Sequence, residues 1–268
     1  MVNSITEKEF TLFRKFIYEY AGIDLSPAKQ TMVGSRLSKR VNYYQLDNYR
    51  QYYDLVMGND NPQELQMLVN ILTTNETYFF REPKHFDYLR DNVLKGWSGG
   101  PFRIWSAASS SGEEAYSLAM LLADTLSHRP WEIIGSDLST KVLTKATKGV
   151  YMMDRLDLLD EKYLKKYCQK GVRSQEGTLR VVDSLRKHTR FGQVNLMKPL
   201  PASIGMFDVI FLRNVLIYFD NETKKSVVER VVSKLKPGGL FFISHSETLN
   251  RVTDMVKMVQ PSIYIKND

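Results

Sequence analysis

Two short segments of the chain concentrate side chains that could bind or transform a small molecule. The run LTTNETYFFRE at 72–82 combines amide, hydroxyl, carboxylate and guanidinium groups. The run RNVLIYF at 213–219 directly follows an apolar stretch, 207–212, that predicts a buried strand. Asn195 ends another predicted strand, 189–194. Because open α/β sheets bind ligands at the carboxyl ends of their strands, we expect these residues to face a ligand.

The segment 72–82 has two interpretations. Asn75 or Thr77 could serve as the N-cap of a following helix. Alternatively, the segment is a lid that closes over a bound cofactor, with Arg81 directed at an anionic substrate. Capping and ligand contact can coexist, so both interpretations stay open.

A third motif indicates the chemical class of the ligand. A predicted strand at 102–105 is followed by a loop of small residues, a helix that opens on Glu113 and Glu114, and a second strand that ends at Asp137. This is half of a doubly wound nucleotide-binding fold, in which such an acid holds ribose hydroxyls. A pyrophosphate needs glycines and a positive helix start, but here the loop holds one glycine and two carboxylates follow it. S-adenosylmethionine, which has a ribose, an ammonium and a sulfonium but no phosphate, fits.

The periodicity of apolar residues predicts the elements that position these motifs. Helical stripes run through the first 75 residues and include predicted helices at 44–57 and 62–72, and no strand pattern precedes Phe102. We therefore expect an N-terminal helical domain at 1–75, a linker or lid at 76–101 and an α/β domain at 102–268, with a doubly wound, Rossmann-like sheet.

Within the α/β domain, we predict a helix at 139–148, capped by Ser139, and a helix at 221–235. A strand at 240–244 should pair with a C-terminal strand at 262–265. Residues 168–190 interrupt the alternation of strand and helix, and predict a small antiparallel β insertion.

Composition excludes several classes of protein. The 268 residues contain one cysteine, Cys168, which rules out an internal disulfide and a cysteine-based zinc site. No apolar run approaches the length of a membrane span, and the polar N-terminus lacks a signal-peptide core, so we expect a cytoplasmic protein. The four histidines are scattered without metal-ligand spacing, and no Gly-x-Ser-x-Gly elbow occurs. We expect no metal.

The net charge of +7 is unevenly distributed. Residues 26–41 hold four basic residues and no acid, namely Lys29, Arg36, Lys39 and Arg40. This stretch is either a solvated helix face or a surface that meets an acidic partner, which could be nucleic acid or protein.

The motifs together are specific enough to suggest a family. Over nearly all of its length, the chain resembles the chemotaxis receptor glutamate O-methyltransferases, the CheR family. The matching segments are LS..K..MV..RL at 25–37, TTNETYFFRE at 73–82, WSA at 105–107, SGEE at 111–114, SDLS at 136–139, NL at 195–196, RNVLIYF at 213–219, PGG at 237–239 and HSE at 245–247.

The resemblance implies a reaction and a set of roles. A methyl group would pass from S-adenosylmethionine to glutamate side chains on the cytoplasmic helices of transmembrane chemoreceptors, leaving S-adenosylhomocysteine. The protein itself would be neither membrane-embedded nor bound to nucleic acid. The implied catalytic residues are Arg81 and Tyr218. The implied receptor-binding residues are Lys29, Arg36, Lys39 and Arg40. The implied cofactor-binding residues are Asn75, Thr77, Arg81, Glu113, Glu114, Asp137, Asn195, Leu196, Arg213 and Asn214.

Two functions of other classes compete with this one. A non-catalytic adaptor could keep the fold and bind receptors or RNA through its basic faces, but it would have no need of Asn75, Arg81, Asp137 and Asn214 together. A nucleic-acid methyltransferase would usually carry a catalytic cysteine or an Asn/Asp-Pro-Pro-Tyr-like loop, and the sequence offers neither.

Overall fold

The N-terminal domain is entirely helical, as predicted. The computed structural model describes residues 3–58, 61–126, 129–153, 156 and 159–267. In this domain the helices are α1 (Glu7–Ala21), α2 (Gln30–Tyr43), α3 (Tyr49–Gly58) and α4 (Pro62–Leu72). A capping box between Thr6 and Glu9 starts α1, and Gly22, with φ 72°, ends it. The core includes the fully buried Phe13, Leu37 and Tyr52.

The third helix is shorter than the sequence predicts. We expected it to start at Tyr44, but α3 begins at Tyr49, after a turn in which Gln45 has φ 54°. Asn48 accepts a hydrogen bond from the backbone N–H of Gln51 at 2.9 Å, and so fixes the start of the helix. Periodicity alone did not reveal this local cap.

The second part of the chain is an α/β domain, and its described residues form ten strands. In chain order they are β1 (Phe102–Ser106), β2 (Trp131–Asp137), β3 (Val150–Met152), β4 (Cys168–Lys170), β5 (Thr178–Val181), β6 (Thr189–Gln193), β7 (Phe207–Phe211), β8 (Leu235–Phe242), β9 (Val256–Gln260) and β10 (Ile263–Lys266). The helices that follow α4 are α5 (Pro83–Leu89), α6 (Glu113–Thr125), α7 (Thr140–Lys148), α8 (Glu161–Tyr167), α9 (Asp183–Arg186) and α10 (Asn221–Val232).

Seven strands form the main sheet, in the order β6-β2-β1-β7-β8-β10-β9. The pairs from β6 to β8 are parallel, whereas β10 is antiparallel to both β8 and β9. The direction of winding reverses between β1 and β7, which is where a doubly wound sheet opens a crevice at its carboxyl edge. The prediction of a doubly wound sheet is confirmed, and the C-terminal strand pairs with β8 as expected, but β9, which we did not predict, forms the edge of the sheet beyond β10.

Helices cover both faces of this sheet. Leu118 and Leu122 of α6 pack in one apolar cluster, and Val227 and Val231 of α10 pack in another on the opposite face. Burial on both faces explains why β7 is apolar at most positions, since parallel strands covered by helices read as continuous hydrophobic runs. Among the described helices, none is both long and apolar enough to cross a membrane.

Three boundaries of strands or of the insertion differ from the predictions, and α10 ends at Val232 instead of 235. The β insertion is a three-stranded antiparallel sheet, β3-β5-β4, that starts at Val150 rather than near 168. Residues 189–193, which we placed partly in the insertion, form the edge strand β6 of the main sheet. Strand β8 starts at Leu235 instead of 240. Strand β3 has only three residues, too few for a sequence pattern, and it pairs with β5 across a long gap in the chain.

The predicted linker 76–101 is largely structured. It contains α5 and a π-helical turn, Arg90–Leu94, that continues it. Phe86 and Leu89 of α5 are buried in the same apolar cluster as α6. The segment therefore packs against the sheet domain instead of bridging two domains loosely.

Candidate active site

A cleft opens at the carboxyl ends of β1, β2 and β7, between the sheet and the N-terminal helical domain. Its volume is about 1010 Å³, including the open mouth. Nine of the ten residues predicted to bind cofactor line it, together with Tyr218 and Lys29. The nine are Asn75, Thr77, Arg81, Glu114, Asp137, Asn195, Leu196, Arg213 and Asn214. The topology thus brings together segments that are far apart in the chain.

Asp137 lies in the cleft at the end of β2, half-buried. Its Oδ2 accepts a hydrogen bond from the backbone N–H of Ser110 at 2.9 Å, and its Oδ1 accepts one from Ser139 at 2.9 Å. Burial raises the pKa of this carboxyl, although the backbone hydrogen bonds act in the opposite direction. Each oxygen of an ionised carboxylate can accept more than one hydrogen bond, so Asp137 can still receive ligand hydroxyls.

Ser139, which we predicted to cap α7, contacts Asp137 through its backbone. This residue holds the N-cap position of α7, as expected, but its side chain makes no capping hydrogen bond. Its hydroxyl is buried and has no hydrogen-bond partner among the described residues. The backbone N–H of Ser139, not its side chain, is what connects it to the cleft.

The two adjacent glutamates at the start of α6 have different surroundings. Gly112 precedes the helix with φ 96°, and a Cβ there would lie 2.8 Å from Cβ of Ala146, so a larger residue would clash. Glu114 points into the cleft region, where its Oε1 accepts a hydrogen bond from Ser106 Oγ at 2.7 Å. The carboxylate of Glu113 instead accepts from Ser111 Oγ, and Glu113 is not among the residues that line the cleft.

Arg213 is the centre of a buried ionic network. Its Nη1 donates to Glu114 Oε2 at 2.9 Å, and its Nη2 lies 3.0 Å from Glu82 Oε2. The same Nη2 donates to the carbonyl oxygen of Arg81 at 2.6 Å. Only 1% of the Arg213 side chain is exposed. Arg213 therefore holds the lid segment against α6, a role in which Glu82 is a partner that sequence reasoning missed.

Asn214 adopts an unusual backbone conformation that a second carboxylate supports. Its φ is 59°, in the left-handed region, where non-glycine residues are uncommon. Glu247 accepts hydrogen bonds from the backbone N–H groups of Asn214 at 3.2 Å, Leu216 at 2.8 Å and Ser244 at 2.8 Å. Burial raises the pKa of Glu247, and these N–H groups oppose that rise. From the sequence, we identified HSE at 245–247 only as a segment that matches the family, and we assigned no role to Glu247.

The lid segment, residues 72–82, contributes Asn75, Thr77 and Arg81 to the cleft lining, and its backbone turns at Phe80, where φ is 52°. The carbonyl oxygen of Asn75 accepts from Ser110 Oγ at 2.9 Å, and Asn75 Nδ2 donates to Thr73 Oγ1 at 3.1 Å. Arg81 Nη1 donates to the carbonyl oxygen of Glu76 at 3.2 Å. The next helix, α5, begins at Pro83, with Glu82 as its N-cap residue. The capping interpretation of Asn75 and Thr77 is therefore wrong.

Tyr218 joins the lid side of the cleft to the N-terminal domain. Lys29 Nζ lies 4.9 Å from the centroid of the Tyr218 ring, and the carbonyl oxygen of Tyr218 accepts from the backbone N–H of Asp24 at 2.8 Å. Burial raises the pKa of the Tyr218 hydroxyl, while the positive charge of Arg81 acts to lower it. Tyr218, Arg81 and Lys29 thus form a basic, aromatic rim of the cleft.

Asn195 is more constrained than its position at a strand end suggests. Its Nδ2 donates to the carbonyl oxygen of Tyr20 at 2.8 Å, and its Oδ1 accepts from the backbone N–H of Met197 at 2.9 Å. The side chain therefore ties the end of α1 to the sheet domain. Leu196, which is 9% exposed, gives the cleft an apolar wall beside it.

The four basic residues of 26–41 have different environments. Arg36 Nη1 donates to the carbonyl oxygens of Ile71 and Thr73, at 3.2 and 3.0 Å. Arg40 forms an ion pair with the buried Glu64 at 2.5 Å. Lys29 lines the cleft, and only Lys39 of the four is fully exposed. These residues do not form one free basic face.

The fold and the site fit S-adenosylmethionine. An acid that can receive ribose hydroxyls ends the second strand of the sheet, and the helix start that would bind a phosphate carries Glu114 instead. This combination defines the class of S-adenosylmethionine-dependent methyltransferases.

Comparison with known families agrees and is more specific. The family profile described as "CheR methyltransferase, SAM binding domain" matches residues 75–265, and "CheR methyltransferase, all-alpha domain" matches residues 8–73. The chain belongs to the CheR methyltransferase family.

Individual relatives match over almost the whole chain. A chemotaxis protein methyltransferase of Salmonella typhimurium is 38% identical over 263 residues, which cover 97% of this chain and 91% of that protein. Chemotaxis protein methyltransferase 2 of Pseudomonas aeruginosa is 39% identical and covers 97% and 93% of the two chains. Among solved structures, the N-methyltransferase NodS from Bradyrhizobium japonicum, in complex with S-adenosylhomocysteine, has a TM-score of 0.42 at 14% identity, covering 81% of this chain and 98% of that one.

Proposed function

We propose that this protein is a cytoplasmic enzyme that methylates glutamate side chains of chemoreceptors, with S-adenosylmethionine as donor and S-adenosylhomocysteine as product. Its relatives are named chemotaxis protein methyltransferases, which supports a substrate in the chemotaxis system. The finer assignment, to glutamate carboxylates, is supported by the charges in the cleft.

The distribution of charge in the cleft is the observation that carries the proposal. Its lining includes the carboxylates of Asp137 and Glu114, of which Glu114 is paired with Arg213, and the cations of Lys29 and Arg81 beside Tyr218. The Asp137 carboxylate suits the hydroxyls of the cofactor, and the cations of Lys29 and Arg81 suit an anionic methyl acceptor.

The chemistry requires little beyond alignment. S-adenosylmethionine, when bound, supplies a methyl group on a positively charged sulfur. A glutamate carboxylate, with an ordinary pKa near about 4.3, is already ionised at neutral pH and needs no general base. One of its oxygens would bond to the methyl carbon as the carbon–sulfur bond breaks, with the electron pair leaving on the sulfur. Such a transfer would move no proton.

The protein's contribution is therefore to orient the acceptor and remove its water. Arg81 would fix an acceptor carboxylate, a role supported by its position in the cleft lining and by the hydrogen bond from Arg213 to its carbonyl oxygen. Tyr218, opposite Lys29, would direct its hydroxyl towards the transferred methyl. Asp137 would hold the ribose. Asn75, Thr77, Leu196 and Asn214 would contact the remainder of the cofactor.

A labelling experiment tests the proposal. The protein is incubated with methyl-labelled cofactor and either the cytoplasmic fragment of a chemoreceptor or RNA. We expect label only on the receptor, in a form that mild base releases as methanol, because carboxyl esters hydrolyse and methylated amines do not. A receptor fragment whose acceptor glutamates are replaced by glutamine is the matched control and should stay unlabelled. Base-stable label, or label on RNA, would contradict the proposal.

A further inference from the structure

A second cluster of polar side chains lies behind the lid, outside the cleft lining. It consists of Glu82, His85 and His245, whose potential ligand atoms all lie within 4.8 Å of one another. Glu82 and His85 are at the start of α5, and His245 follows the end of β8. The methyl-transfer reaction described above uses none of the three directly.

Ser262 fixes the outer nitrogens of both histidines. Its Oγ lies 2.7 Å from His85 Nε2 and 3.0 Å from His245 Nδ1. The same hydroxyl donates to the carbonyl oxygen of Pro261 at 2.5 Å. A serine hydroxyl has one proton, so when that proton goes to the carbonyl oxygen, both histidines act as N–H donors to Ser262 Oγ.

In these tautomers the inner nitrogen of each neutral ring carries no hydrogen. A neutral imidazole has one N–H, so His85 Nδ1 and His245 Nε2 present lone pairs. Both face the same carboxylate oxygen, Glu82 Oε2, at 3.4 and 3.9 Å. His85 Nδ1 is buried, in a side chain that is 1% exposed, and has no hydrogen-bond partner among the described residues. Two lone pairs and an anionic oxygen that converge in this way attract a cation.

We propose that Glu82, His85 and His245 form a binding site for a divalent transition-metal ion of the zinc class. Two imidazole nitrogens and a carboxylate oxygen are ordinary ligands for such an ion, at about 2.0–2.2 Å. The ligand atoms are close enough for one ion to reach all three after small side-chain rotations. The shared bond to Ser262 is the kind of outer contact that orients metal-binding histidines.

The surrounding charges and access agree with a cation. Arg213 is the nearest positive group, but it is shared between Glu82 and Glu114, so these three residues keep a net negative charge. The side chain of His245 is 45% exposed, which gives an ion a route from solvent. An ion bound here would connect the lid segment, through Glu82, to the end of β8.

The test measures binding of Zn²⁺ itself to the full chain after treatment with a chelator. Competition with a chromophoric chelator should give one equivalent with a dissociation constant below about 1 µM. His245→Gln, which removes an exposed ligand and should leave the fold intact, is expected to weaken binding at least tenfold. Ser262→Ala should weaken it by about 10-fold or more, because it removes the orienting contact.

His188→Gln is the matched control, since His188 is an exposed histidine away from the cluster. It should leave the zinc affinity unchanged. The proposal is overturned if the wild-type chain binds no equivalent in this range, or if His188→Gln and His245→Gln weaken binding equally. Circular dichroism of each variant confirms folding. The readout is zinc affinity, so its failure would leave the methyltransferase proposal unaffected.

Discussion

Arg213 and Glu114 form a buried ion pair at the base of the cleft, with 2.9 Å between Nη1 and Oε2. Arg213 follows β7, whereas Glu114 lies in the first turn of α6. Because the same guanidinium also binds Glu82 and the carbonyl oxygen of Arg81, a single side chain joins three segments around the cleft.

The first prediction concerns the stability of this network. Arg213→Met should lower the free energy of unfolding by about 3–5 kcal/mol, because it leaves two poorly solvated carboxylates without a cation. Arg190→Met is the control, because the Arg190 side chain is 76% exposed and its ion pair with Glu132 is long, at 3.9 Å. Its effect on the unfolding free energy should stay within about 0.5 kcal/mol. Urea denaturation measures both. Equal losses for the two variants would contradict the network's importance.

The second prediction concerns cofactor affinity. Asp137→Ala should weaken binding of S-adenosylhomocysteine by about 10- to 150-fold, the effect of losing hydrogen bonds to a charged group. Asp54→Ala, which removes a half-exposed carboxylate of a surface ion pair on α3, should leave affinity unchanged. Isothermal titration calorimetry gives the dissociation constants. An unaltered constant in a folded Asp137→Ala protein would remove this residue from the site.

The raised pKa of Asp137 adds a dependence on pH. The ionised form accepts hydroxyl hydrogen bonds from the ribose, so affinity should fall as pH drops through a value above the ordinary 3.9. The stability of the protein without ligand should depend on pH in the opposite direction, because the raised pKa means that the folded state binds the Asp137 proton more tightly than the unfolded chain does. The contribution of Asp137 to the unfolding free energy therefore falls as pH rises through the folded-state pKa. A wild-type pH profile identical to that of Asp137→Ala would refute both effects.

The third prediction distinguishes two roles for Arg81. If the guanidinium binds the acceptor carboxylate, Arg81→Ala should lower kcat by at least about 10²-fold with little change in cofactor affinity. If it binds the carboxylate of the cofactor, affinity and rate should fall together. Lys84→Ala removes an exposed cation three residues away and should change neither. Retained rate and affinity in Arg81→Ala would show that the lid arginine serves only local structure.

The fourth prediction separates receptor attraction from structure in α2. Lys39→Glu should slow receptor methylation at low salt, and the difference from wild type should shrink at about 0.5 M salt, because exposed charges are screened. Cofactor affinity should not change. Rate measurements across a salt series provide the test, and a wild-type rate at every ionic strength would mean that Lys39 is only solvated.

Arg40→Ala is the structural counterpart of that variant. It leaves Glu64, which also accepts hydrogen bonds from Tyr44 and Tyr52, without its cation. We expect Arg40→Ala to reduce the unfolding free energy by about 3–5 kcal/mol at most. Lys39→Glu should leave the unfolding free energy nearly unchanged.

The sequence by itself determined the features that depend on neighbours in the chain. The spacing of apolar residues predicted the helical domain and six of the seven strands of the main sheet, all except β9. The run from β1 to Asp137 predicted a ligand with a ribose and no phosphate, because strand, loop, helix and strand follow one another within 36 residues. Such patterns can be recognised in the sequence because helices and strands each repeat with a fixed period along the chain.

Only the tertiary structure decided which polar groups meet. Arg213 and Glu114 are 99 residues apart in the chain, and Glu247, which accepts a hydrogen bond from the backbone N–H of Asn214, is 33 residues away from it. No spacing rule predicts such pairs, since their distance depends on how the strands are ordered. For the same reason the basic residues of α2 read as one charged stretch, although Glu64 and two backbone carbonyls engage two of them. The sequence alone therefore does not show whether a charged residue is solvated or paired. A buried charge needs a partner, because burying an unpaired charge is costly, and only the folded structure shows which residue that partner is.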